Sequence, residues 1–158
     1  MMVRGIRGAT TVEHNTREAI LDATRELLTE IVTANDLDRD HVASIIFSTT
    51  PDLNVEFPAV AAREDGWTDV ALSCVHEMNV PGALARCLRI LMHVNTERSA
   101  SELQHIYLRG ARRLRADLVG GVLEIGFAVG LYEHIDQRGH GPLVFAVFRQ
   151  HHRRERDE

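Results

Sequence analysis

Apolar residues recur along the first two thirds of the chain with two distinct periods. Near the N-terminus, Val3 to Thr10 reads as a strand in which Gly5 and Gly8 allow close backbone approach. From Asn15 or Thr16 the period changes to that of a helix. Leu21, Leu27, Leu28, Ile31 and Val32 fall on one side, while Arg17, Glu18, Arg25 and Glu26 lie largely away from it. Asn15 with Glu18 fits a capping pair, and the helix is expected to end near Ala34-Asn35. After the polar connection Asp36 to Asp40, Val42 to Ser48 reads as a buried strand.

Pro51 and Pro58 punctuate the next loop, and Pro58 suits the start of a short helix, Ala59 to Glu64. Asp69 to Cys74 is a third strand, and Pro81-Gly82 breaks the chain after it. Residues 88 to 94 alternate cleanly, with Leu88, Ile90, Met92 and Val94 on one face and Arg89, Leu91 and His93 on the other. Ser99 or Ser101 caps a helical turn. His105 to Leu108 is a fifth strand, which Ala111 to Leu114 would extend past Gly110. The order β-α-β-α-β-β-β predicts an α+β fold, a mixed five-stranded sheet with helices on one face. The other face needs cover, so self-association is expected.

Composition then narrows the chemistry. The chain has 158 residues, 44% of them apolar, enough for a sizeable core. A formal net charge of −5 argues against a general nucleic-acid binder. No run of about 18 uncharged apolar residues marks a membrane span, and Met1 to Gly5 lacks the apolar core of a signal peptide. Cys74 and Cys87 form neither a close metal pair nor a disulfide framework, which fits a reducing cytoplasm. All 18 basic residues are arginine. The absence of lysine excludes Schiff-base chemistry, a pyridoxal phosphate lysine and the P-loop lysine. The remaining cations are planar forks suited to carboxylates.

Arg7 and Arg89 both sit on predicted strands, and Glu77 follows the end of one, where functional sites often lie. By spacing alone each also reads as an ordinary solvated charge. Cys74-Val75-His76-Glu77 brings a thiol, an imidazole and a carboxylate close in sequence, but catalytic Cys and His are usually distant in sequence and meet in the fold. The nine histidines show no metal-ligand spacing, Arg112-Arg113 and Arg153-Arg154 read as solvated faces, and no dinucleotide loop is present.

Eight segments, in order, resemble the trimeric, monofunctional chorismate mutases. They are M-x-R-G-I-R-G-A-T-T-V-E at 2–13, S-T-T-P-D-L at 48–53, F-P-A at 57–59, R-E-x-G-W at 63–67, C-V-H-E-M-N-V at 74–80, C-L-R at 87–89, H-I-Y-L at 105–108 and L-R-A-D-L at 114–118. The resemblance implies the Bacillus-type fold, a pseudo-α/β-barrel homotrimer with active sites between subunits. It implies conversion of chorismate to prephenate, an intramolecular Claisen rearrangement of the shikimate pathway leading to phenylalanine and tyrosine, with no cofactor and no metal. Arg7 and Tyr107 would bind substrate oxygens, Arg89 would reach the ether oxygen and a carboxylate, and Glu77 would meet the ring hydroxyl. Phe57, Arg63, Ser73 and Cys74 would line the pocket from the adjoining subunit, next to Val75 and His76, and Leu114 and Arg115 match a C-terminal part of it. Val60 stands where many relatives carry a basic residue, Ala116 where proline is common, and Arg109, Arg112 and Arg113 are unusually basic.

The resemblance covers residues 1–118 as a mutase domain. Residues 119–158 are an extension expected to be partly disordered, with apolar runs at Leu118 to Tyr132 and Leu143 to Phe148, a candidate hairpin at Gly139-His140-Gly141 and a charged end. Two other readings compete. One is an imine deaminase of the Rid type, also trimeric and carboxylate-binding. The other is a catalytically silent trimer that binds an aromatic-pathway metabolite.

Overall fold

The computed structural model describes residues 1–115; Ala116 and the expected extension lie outside the described residues. The five strands are β1 (Met2–Thr11), β2 (Val42–Thr49), β3 (Ala71–His76), β4 (Cys87–Thr96) and β5 (Ile106–Tyr107), joined in one sheet of order β3-β2-β4-β1-β5. β4 runs antiparallel to both β1 and β2, while β3 pairs parallel with β2 and β5 parallel with β1. Helices α1 (Arg17–Asn35) and α2 (Ala59–Glu64) cover one face. The expected mixed five-stranded sheet is therefore present.

The alternation of β4 determines where the core sits. Leu88, Ile90, Met92 and Val94 are all buried, beside Ile6 of β1 and Ile45 and Phe47 of β2. Ile20, Ala23, Leu27, Leu28 and Ile31 of α1 complete this cluster. Gly8 is where helix and sheet come closest: a Cβ there would meet Ile31 Cδ1 at 2.6 Å. On the opposite face, Val3 is 60%, Val75 47% and Leu91 37% exposed, an apolar surface that nothing in this chain's described residues covers.

Three local expectations change. The cap of α1 is Thr16, whose side chain accepts from the Ala19 N–H. Asn15 instead forms a two-way clasp with Asn54, tying the helix start to the loop after β2. β3 starts two residues later than Asp69 and runs on to His76. Arg109–Arg115 is a 3-10 helix rather than a continued strand. There Arg109 takes a left-handed φ of 48°, and the Gly110 N–H turns back to Thr11 Oγ1. Ser99, by contrast, does cap its turn, in a capping box with Glu102.

Asn35, the last residue of α1, is a fully buried polar group. Its amide donates to the Ile31 and Gln104 carbonyls at 2.9 Å each, and its oxygen accepts from the Gln104 N–H at 2.7 Å. It thereby fastens the segment leading into β5 to the helix. Asn35→Ala would strand both backbone groups of Gln104, so it should destabilise the chain by about 2 kcal/mol or more in a urea melt. A loss under about 0.5 kcal/mol would show that water or a shifted loop replaces the amide.

Candidate active site

Strand register brings three of the expected residues to the open face. Arg89 lies opposite Ala9 on one side and Ser48 on the other, and Arg7 is two residues from Ala9 on the same face of β1. Glu77 follows β3, held by its N–H to the Thr49 carbonyl at 2.8 Å. Its carboxylate accepts from the Ser48 hydroxyl and stands 3.6 Å from Arg89 Nε. That Nε is buried and makes no hydrogen bond among the described residues. Glu77 thus balances the charge of Arg89 without satisfying its donor. Ser48 was not among the expected site residues. Only its alignment beside Arg89 in the β2–β4 register brings it there.

Tyr107 of β5 pairs with Ala9 and packs in a small apolar cluster with Ala9, Cys87, Ala111, Leu84 and Leu114. Arg115 ends the 3-10 helix close enough to His105 to lower its proton affinity. Arg7, Glu77, Arg89, Tyr107, Leu114 and Arg115 therefore belong to one region of the molecule.

The other expected residues lie around the sheet edge. Phe57, 67% exposed, joins Cys74, Val75 and His76 along a cleft of about 230 Å³. Cys74 aligns with Phe47 and packs on the helix-side core, whereas Ser73 and Val75 share the face that carries Arg89. Arg63 sits on α2, near enough to act electrostatically on the Cys74 thiol. Burial pushes that thiol's pKa up, against smaller opposing effects of the Ala59 N–H and the Arg63 charge. His76 Nδ1 bonds to Thr49 instead of the thiol. The Cys-His-Glu run is therefore not a nucleophile and its base: His76 shares a face with Cys74 but is engaged by Thr49, and the Glu77 carboxylate is turned to Ser48 and Arg89. A larger concavity of about 600 Å³, lined by Glu13, Arg86, Arg109 and Arg113 among others, shares none of the expected site residues.

Among the described residues there is no group of three His, Cys, Asp or Glu placed to hold a metal ion. What the open face presents is an arginine-rich, carboxylate-balanced surface with no activated nucleophile. That is the kind of site that binds and orients an anionic small molecule by fixed charge. Comparison with known proteins identifies the family. Residues 3–118 match the family model of chorismate mutase type I, and the chain belongs to that family. It is 45% identical over 119 residues to chorismate mutase AroH of Bacillus subtilis, covering 75% of this chain and 94% of that one. It is 49% identical over 118 residues to chorismate mutase AroH of Thermus thermophilus, covering 74% of this chain and 97% of that one. A chorismate mutase structure from Clostridium thermocellum superimposes with a TM-score of 0.69 at 48% identity, over 70% of this chain and 98% of that one.

The raised thiol pKa carries its own prediction. Cys74 should react with iodoacetamide at pH 7 more slowly than a free cysteine, whose thiolate forms near pH 8.5. Cys74→Ala should keep most of the enzyme's turnover, and total loss with an intact fold would revive covalent chemistry.

Proposed function

We infer that this chain converts chorismate to prephenate, an isomerisation in the biosynthesis of phenylalanine and tyrosine, and that residues 1–118 form the mutase domain. Family membership decides against the imine deaminase reading. The observation that carries the site assignment is the pairing of Arg89 with Glu77 on a face that also holds Arg7. It also weighs against a silent binder, which has no need of that pairing.

The rearrangement breaks a C–O bond and forms a C–C bond within one molecule. It needs no proton transfer, nucleophile or cofactor. A protein contributes by holding the enolpyruvyl arm over the ring and by stabilising separated charge in the transition state. The substrate is a dianion, so Arg7 binds a carboxylate and Tyr107 donates to a substrate oxygen. Negative charge grows on the ether oxygen as the C–O bond breaks, and Arg89 meets it. The buried Nε with no hydrogen-bond partner among the described residues supports this role, since a substrate oxygen would satisfy it. Glu77, oriented by Ser48, favours the positive character of the ring.

Phe57, Arg63, Ser73 and Cys74 complete the pocket from a neighbouring subunit, Val75 and His76 also line it, and Leu114 and Arg115 close it. The exposed apolar residues around the arginines support a homotrimer in which three sheets cover one another. The two free cysteines suit a reducing cytoplasm.

Purified protein should consume chorismate, followed by its ultraviolet absorbance. No loss at micromolar enzyme would reject the reading. Arg89→Ala should lower kcat at least about 100-fold, roughly 3 kcal/mol of transition-state stabilisation. Sedimentation should give three times the 17.7 kDa chain mass for wild type and variant alike. A monomeric wild type that is fully active would overturn the shared-site arrangement.

A further inference from the structure

The edge of β1 next to Arg7 is completed by a side chain. Strand β5 reaches β1 only through Gly8↔Ile106 and Ala9↔Tyr107. One residue earlier, the Arg7 N–H donates to Nδ1 of His105 at 3.1 Å. The imidazole stands where a longer β5 would offer a backbone carbonyl. It is held from behind, because Gln104 is clasped on both backbone groups by Asn35, whose own carbonyl accepts from Arg98. The helix end, the segment before β5 and the main chain of Arg7 are thus linked by consecutive hydrogen bonds.

We propose that His105, as the neutral Nε2–H tautomer, is a positioning residue that holds the β1 main chain from which the Arg7 guanidinium reaches the substrate. The proposal rests on the reading of Arg7 as a substrate-binding cation. A lone pair on Nδ1 is required, because a protonated ring would set N–H against N–H. The surroundings keep the ring neutral. Burial lowers its pKa from 6.5, and the charges of Arg7 on β1 and Arg115 on the 3-10 helix lower it further. From α1, the uncharged Asn35 amide is hydrogen-bonded to the preceding residue, Gln104. The sign follows: the folded pKa is depressed, so the contribution is complete above about pH 6.5 and is lost as the pH falls through the folded value.

The test uses the full chain with chorismate as probe. His105→Ala removes the acceptor, while His105→Asn places an amide oxygen close to where Nδ1 stood and does not titrate. His105→Ala should raise KM about 3- to 10-fold, the scale of one hydrogen bond, with kcat within about threefold of wild type. His105→Asn should recover most of that loss. In both variants the fall of kcat/KM on the acid side of about pH 6.5 should flatten. A purely structural role would leave the acid limb unchanged and give no rescue by Asn, and either result overturns the proposal. If His105→Ala does not fold, the pH profile of His105→Asn decides. A wild type with no turnover would remove the mutase reading and this proposal with it. An active wild type with unaltered His105→Ala kinetics removes the proposal alone.

Discussion

Burial of Leu88, Ile90, Met92 and Val94 beneath α1 forces Arg89, Leu91 and His93 onto the other side of the sheet, because successive side chains of a strand point in opposite directions. β4 is the central strand, so this constraint passes outward to both neighbours. Arg7 and Ser48 lie on the Arg89 face because their strands are in register with β4, and Ile6 and Phe47 lie in the core for the same reason. One alternating strand thereby organises both the hydrophobic core and the charged surface. Slipping β4 by one residue would exchange the two, burying a guanidinium and exposing the core.

The charged face is balanced but not closed. Glu77 stands near Arg89 at ion-pair distance and is tied to Ser48, and Arg89 Nε is buried without a hydrogen bond among the described residues. The Arg89 and Glu77 charges are fixed in the free chain, and on the proposed reading of the site such a preorganised field would stabilise a charge-separated transition state. The chemistry of a Claisen rearrangement makes no use of a thiolate, and the chain keeps its Cys74 thiol protonated by burial. The same separation of faces that gathers the arginines turns Cys74 toward the core.

Much of the fold was legible because its signals are local. Helix period in α1, strand alternation in β4, the proline before α2 and the serine capping the turn at Ala100–Glu102 are each decided within a few residues. The misreadings came where a distant contact wins. Thr16 caps α1 because Asn15 is engaged by Asn54, 39 residues away. The chain turns away after β5 because Gly110 bonds to Thr11, 99 residues away, and Arg109 adopts a left-handed conformation that no pattern of apolar positions reveals. Arg7, Glu77, Arg89 and Tyr107 were visible through family likeness. Ser48 and His105 were not singled out, since their importance lies in whom they touch.

By itself the sequence determined the element order, the amphipathic faces and the restriction of cationic chemistry to arginine, because periodicity and composition are properties of short segments. It also carried the family, through motifs dispersed over residues 2 to 118. Only the tertiary structure decided that Glu77 meets Arg89, that Cys74 faces away from them, and that His105 supplies the acceptor for the Arg7 main chain. Those relations depend on strand register and on contacts between residues far apart in the chain. Hydrogen bonds and ion pairs act over a few ångströms of space, whatever the distance along the sequence.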